Sequence, residues 1–242
     1  MPSSNSSPSR VFHKGPPLGI VATVFVLLFL AGLYPVTVFG GRPVFPGPYE
    51  PLSVIMAFFG ERPSAVLLCA ALHFGAAVPL GIFTATVVSR LRFLGVRAAG
   101  TDIALFGGFL TAFTMVVSSS VLWAMTYPGI AQDGAVLQGM FRTQFALGGP
   151  GFSVPLGLLL AGICVTAGFS GLLPKWVVIS GLVIAAIGEL SWLQILIPQL
   201  LFLIPLTRFP GFAWMIVAGF SLPSSVERGG NPDQPFARFP SS

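Results

Sequence analysis

Long apolar runs, separated by short segments rich in Pro, Gly and charge, make the natural unit of this chain a span of about 20 residues. The first run, 18–39, carries no charge and follows Arg10, His13 and Lys14. It is too long for the apolar core of a signal peptide and lacks a small-x-small cleavage pattern, so it predicts a retained anchor. Further spans are predicted at 64–88, 103–127, 145–170, 176–193 and 198–222. Between the first two, the Pro- and Gly-rich stretch 40–63 contains the apolar octet Leu52 to Phe59, too short to cross, which predicts a loop with an interfacial helix. Residues 126–144, with Asp133 and Arg142, read as a polar connection.

Proline and glycine sharpen this outline. Gly148-Gly-Pro-Gly151 loosens the first turn of the fourth span, Gly171 to Lys175 is a tight turn, and Pro205 and Pro210 interrupt the sixth span. The Ser- and Pro-rich lead 1–17 and the polar tail 223–242 have little apolar surface to pack, so both are expected to be disordered. The expected fold is therefore all-α: a polytopic transmembrane helical bundle of about six spans.

Charge supplies the orientation. Arg10 and Lys14, then Arg90, Arg92 and Arg97, then Lys175 fall on one side of the membrane. On the other side Arg42 and Arg62 are balanced by Glu50 and Glu61, and Arg142 by Asp133. The positive-inside rule then places both termini in the cytoplasm.

Composition excludes more than it identifies. Of 242 residues 54% are hydrophobic and 8% charged, too little charge to coat a soluble domain. The net charge of +5 is scattered without a continuous basic face, so nucleic acid is not an expected partner. Cys69 and Cys164 both lie in predicted spans with no metal-ligand spacing, so neither a metal nor another cofactor is indicated. No phosphate-binding loop is present to drive a nucleotide-powered pump. Arginine far outnumbers lysine, and Ala, Gly and Pro abound, as in GC-rich bacterial genomes; the expected location is a bacterial cytoplasmic membrane.

Candidate chemistry rests on ionisable groups inside the spans, since a charge at the bilayer centre costs ~2.5–3.5 kcal/mol even on lenient scales. His73, Glu189 and Arg208 are three such groups, each about 20 Å along its helix from the cytoplasmic end. Ser118, Ser119 and Ser120 lie at a comparable depth in the third span, which predicts a polar layer in the outer half of the bundle. Glu189 and Arg208 are level in an antiparallel hairpin and are expected to pair. The layer reads as polar glue between helices, as a small-ligand pocket or as a proton path. Small residues four apart, at Ala71/Gly75, Gly108/Ala112, Gly157/Ala161 and Gly181/Ala185, predict close helix crossings or a face for another membrane protein or a second copy.

Gly168-Phe-Ser-Gly171 resembles the nucleophile motif of rhomboid intramembrane proteases, but spans four to six contain no histidine to serve as its base. One membrane histidine likewise cannot give bis-histidine haem ligation. No catalytic set remains. The expected function is thus a non-enzymatic helper or assembly partner, or a binder of a small hydrophobic molecule; the alternative is a small-solute or proton-coupled transporter using the Glu/Arg/His cluster.

Ser170-Gly-Leu-Leu-Pro-Lys-Trp176, Ile204-Pro-Leu-Thr-Arg-Phe-Pro-Gly-Phe-Ala-Trp214 and Gly219-Phe-Ser-Leu-Pro223 resemble the end of an uncharacterised bacterial six-span membrane family, domain of unknown function 4386. That resemblance implies the six-helix architecture and no activity, and it directs attention to Arg208-Phe-Pro-Gly211.

The charge asymmetry makes a direct prediction. A reporter active only in the cytoplasm is active when fused after residue 222, and one active only outside is active when inserted within 126–144; the reversed pattern contradicts the assigned orientation.

Overall fold

A computed structural model describes residues 9–228. Backbone groups have no water to bond in hydrocarbon, so each apolar run satisfies them internally as a helix. The helices are α1 (Leu18–Leu33), α2 (Leu52–Glu61), α3 (Pro63–Phe93), α4 (Ala99–Ala124), α5 (Gly134–Gly148), α6 (Pro150–Phe169), α7 (Lys175–Leu190) and α8 (Leu203–Ser221). Six helical segments among the described residues are long and apolar enough to cross a membrane, with α5 and α6 together forming the fourth. The chain is thus a multi-pass helical bundle. Its outer face carries Leu27, Val78, Phe106, Phe113, Ile179 and Phe220, an apolar belt that suits lipid and not water. At 31 residues α3 is ~46 Å long, more than a hydrocarbon core of ~30 Å, so it tilts or projects beyond the membrane.

The spans close into a ring. α1 lies between α3 and α8, and the circuit continues through α4, α6 and α7 back to α8. α6 also touches α3 and α8. It is the inner element: 67% of the most apolar stretch in the α5–α6 segment is buried, against 28% in the α7 segment.

Two expectations are corrected. The connection at 126–144 is mostly helical, because Asp133 caps α5 by accepting from the N–H groups of Ala135 and Val136, each at 3.1 Å. Leu137 and Phe141 then lie on one face of α5 and pack with Ile55, Phe58 and Phe59 of α2 in a second, smaller core. The terminal segments are also not wholly disordered. Ser9–Phe12 (β1) pairs antiparallel with Ser225–Arg228 (β2), with Val11 opposite Val226. α1 and α8 are neighbours, so the chain ends leave the bundle side by side and their backbones pair. His13 reinforces the junction through Ser89, whose Oγ is 3.0 Å from its Nε2, and through an edge contact with Phe93. The remainder of the expected disordered lead and tail, 1–8 and 229–242, lies outside the described residues.

Three of the small-residue positions sit where helices cross. Gly108 faces Thr84 of α3, Gly157 faces the Ala185 carbonyl of α7, and Gly181 faces Cys164 and Trp214. Gly75 has nothing within 4 Å of where a Cβ would be, so the Ala71/Gly75 pair is no crossing. A close approach of two helix backbones was not foreseen: a Cβ on Gly162 would meet the Gly100 carbonyl oxygen at 2.5 Å and the Ala104 nitrogen at 2.6 Å. Backbone cannot swing aside as a flexible side chain does. Gly162→Ala is therefore predicted to lower stability by ~1–3 kcal/mol, whereas Gly75→Ala changes it by no more than the ~1 kcal/mol gained in helix propensity. Unfolding in mixed micelles measures both; equal effects contradict the α4–α6 crossing.

Candidate ligand cavity

Inside the half of the bundle opposite the paired termini lies a cavity of about 240 Å³. Phe29 and Leu33 of α1 and Phe152 of α6 give it apolar walls, with Met115 and Leu122 of α4 and Phe145 of α5. The loop after α1 closes one side through Val36, Thr37, Phe45 and Pro46. Polar atoms come from a few positions only.

Arg208 is the charged one, and its setting follows from the helix break. Pro150 has no N–H, and the N–H groups of Phe152 and Ser153 both turn to the Gly149 carbonyl, at 3.2 and 3.0 Å. The Gly148 carbonyl is thereby left over at the C-terminus of α5, and a guanidinium N–H of Arg208 donates to it. A cation at a helix C-terminus is favoured by the helix dipole. The guanidinium carbon also lies 4.9 Å from the ring centre of Phe152 and 5.5 Å from that of Phe29, within cation–π range.

His73 and Ser118 are committed to neighbouring helices. His73 Nε2 is 3.0 Å from the Phe29 carbonyl, and a carbonyl only accepts, so Nε2 carries the proton. The ring stacks on Phe29 with centres 4.3 Å apart, and its Nδ1 is 3.7 Å from Cys69 Sγ. Ser118 Oγ donates to the Gln144 carbonyl at 3.1 Å and accepts from Gln144 Nε2 at 3.2 Å. The single hydroxyl proton is used in the first bond, which fixes the amide with Oε1 pointing away from Ser118; that oxygen is buried without a partner.

The structure thus brings His73, Ser118, Ser119 and Arg208 to one cavity and leaves the other two candidates outside it. Ser120 donates to the Val116 carbonyl at 2.9 Å and borders a separate outer hollow with Phe74 and Trp123. Glu189 lies between α6 and α7 against Gly157, with Oε1 buried and unpartnered. The expected Glu189–Arg208 ion pair does not form. Thr207 is the residue that meets α7 at this level, where a Cβ on Gly188 would be 2.9 Å from its Cγ2. One residue on is about 100° around the helix, so Arg208 points toward α1 and the α5–α6 break instead.

Sequence reasoning missed Gln144, assigned to a loop, and the exposed carbonyl of Gly148. The Gly-Gly-Pro-Gly run was the available signal, since a helix broken by proline within a membrane must leave a carbonyl in want of a donor. It also missed Arg62. This side chain donates to the carbonyls of Gly41, Pro43, Pro35 and Gly40, at 2.6, 2.9, 2.9 and 2.7 Å, and so gathers the loop that forms the cavity wall. Gly41, at φ +115°, makes the turn that an L side chain would resist.

Comparison with protein-family models, with characterised proteins and with solved structures returns no match to this chain.

Hydrogen bonds to charged groups are worth ~1.5–3 kcal/mol each, less where water reaches them as it does at Arg62, but losing four together frees the loop. Arg62→Ala is predicted to speed amide exchange across residues 35–46 by about tenfold or more, with the exchange of α6 unaltered and Arg62→Lys intermediate. Unchanged exchange in the loop contradicts this role.

Proposed function

We propose that this integral membrane protein binds a small, mainly hydrophobic molecule in the cavity between α1, α3, α4, α8 and the α5–α6 break. The observation that carries the reading is the cavity's makeup: apolar and aromatic walls with a few polar groups set among them, the usual composition of a small-molecule site. At about 240 Å³ it is near the lower end of such sites, which begin at ~300 Å³. The ligand is correspondingly small. Transport through a Glu/Arg/His cluster has less support, because Glu189 lies outside the cavity and makes no pair with Arg208.

The setting proposed for this activity is the bacterial cytoplasmic membrane with both termini inside, supported by the basic residues that gather at one end of the spans. Membership of the domain of unknown function 4386 family belongs to the same proposal. It is supported by the resemblance over the last two spans, where Arg208-Phe-Pro-Gly211 supplies the cavity's cation.

Ligand that binds only the folded state raises its stability, by ~2.7 kcal/mol at a hundred times Kd. Octan-1-ol, titrated into the purified protein in micelles, is predicted to raise Tm in a saturable way. Met115→Trp, which fills the cavity, removes the saturable part and leaves the general effect of the alcohol on the micelle. An identical response in both proteins contradicts binding at this site.

A further inference from the structure

Among the described residues, Arg208 is a cation within a span that has no counter-ion. No carboxylate among them lies within salt-bridge reach of it, and one carbonyl, that of Gly148, accepts from its five N–H donors. Its Nε is buried without a partner. The two phenyl rings beside it, Phe29 and Phe152, supply π faces but no acceptor oxygen or nitrogen. The other polar groups on the cavity wall add no negative charge: His73 is held by the Phe29 carbonyl, and Ser118 and Gln144 bond one another. An uncompensated cation costs several kcal/mol in such surroundings, and an anion brought to it recovers much of that.

From this we infer that the cavity's ligand is a monocarboxylate carrying one short apolar chain, its carboxylate on Arg208 and its chain among the aromatic walls. This rests on the ligand-binding function proposed above and adds the class of ligand. Carboxylate suits the guanidinium because both are planar and meet through two parallel hydrogen bonds. Volume favours a small ligand over a diacyl phospholipid: at about 240 Å³ the cavity is below the ~300 Å³ at which drug-sized sites begin, which suits a carboxylate with one short chain better than a headgroup with two long ones.

The test compares three probes of equal chain length, octanoate, octanamide and octan-1-ol, by Tm titration of the full chain in neutral-detergent micelles at pH 7.5. The amide keeps the planar head and one acceptor oxygen but lacks the charge and the second acceptor. Octanoate is expected to bind at least about tenfold more tightly than either neutral probe, with Met115→Trp abolishing the saturable response to it. Octanoate also enters neutral micelles less readily than the alcohol, so partitioning works against this result. Arg208→Met is expected to lose the preference while still responding to octan-1-ol; should that variant not fold, the three-probe comparison on the unaltered protein decides alone. If octanamide or octan-1-ol binds as well as octanoate, the carboxylate inference is overturned and the hydrophobic cavity stands. If no probe gives a response sensitive to Met115→Trp, both are overturned.

Discussion

The hydrogen bond from Arg208 to the Gly148 carbonyl joins two groups that the bilayer would otherwise penalise. A broken helix leaves carbonyls unmet, and an arginine in a span leaves a charge unmet. Here each offsets part of the other's deficit: the last carbonyl of α5 accepts from the guanidinium, and two phenyl rings lie within cation–π range of it, while the charge keeps no counter-ion among the described residues. The bond also fixes geometry. It holds α8 to the elbow between α5 and α6, and through Phe29 it draws α1 against the same point. The cavity is the space left where these elements converge but cannot fill the corner.

The remaining structure keeps that corner in place. Glycines at the crossings of α4 with α6 and of α6 with α7 bring backbones close enough for packing to hold helices together where apolar burial alone cannot, since lipid is as apolar as the helix surface. At one end the paired strands β1 and β2 tie α1 to α8 and complete the ring. At the other, α2 and α5 form a separate core, and Arg62 gathers the preceding loop over the cavity. Both ends are built with charged side chains and irregular backbone, which suit the margins of a bilayer and not its hydrocarbon centre.

How much of this could be read from the chain depended on the range of the interaction. The six spans were legible because a bilayer demands a fixed length of apolar residues, and that demand is local. That His73, Ser118 and Arg208 reach one level of the bundle was legible for the same reason, since rise per residue is fixed. Direction around the helix was harder. Glu189 and Arg208 were matched by depth alone, while Thr207, packed on Gly188, shows that Arg208 is turned the other way. Asp133 and Arg142 make 126–144 read as a polar connection, but Asp133 is a helix cap, and the spacing of Leu137 and Phe141 is the better signal of α5. Pairing of β1 with β2 joins the two ends of the chain, and no local pattern announces it.

The most direct measurement is an experimental density map of the protein in a lipid nanodisc, resolved well enough to place the Arg208 side chain and the backbone of residues 147–152. A cavity organised by a cation at a helix break predicts that α5 and α6 are interrupted at Gly149, that Arg208 reaches the Gly148 carbonyl between Phe29 and Phe152, and that the space beside it is enclosed by the loop Arg62 holds. A continuous α5–α6 helix, with the Gly148 carbonyl bonded to the Phe152 N–H and Arg208 extended toward lipid headgroups, would contradict it.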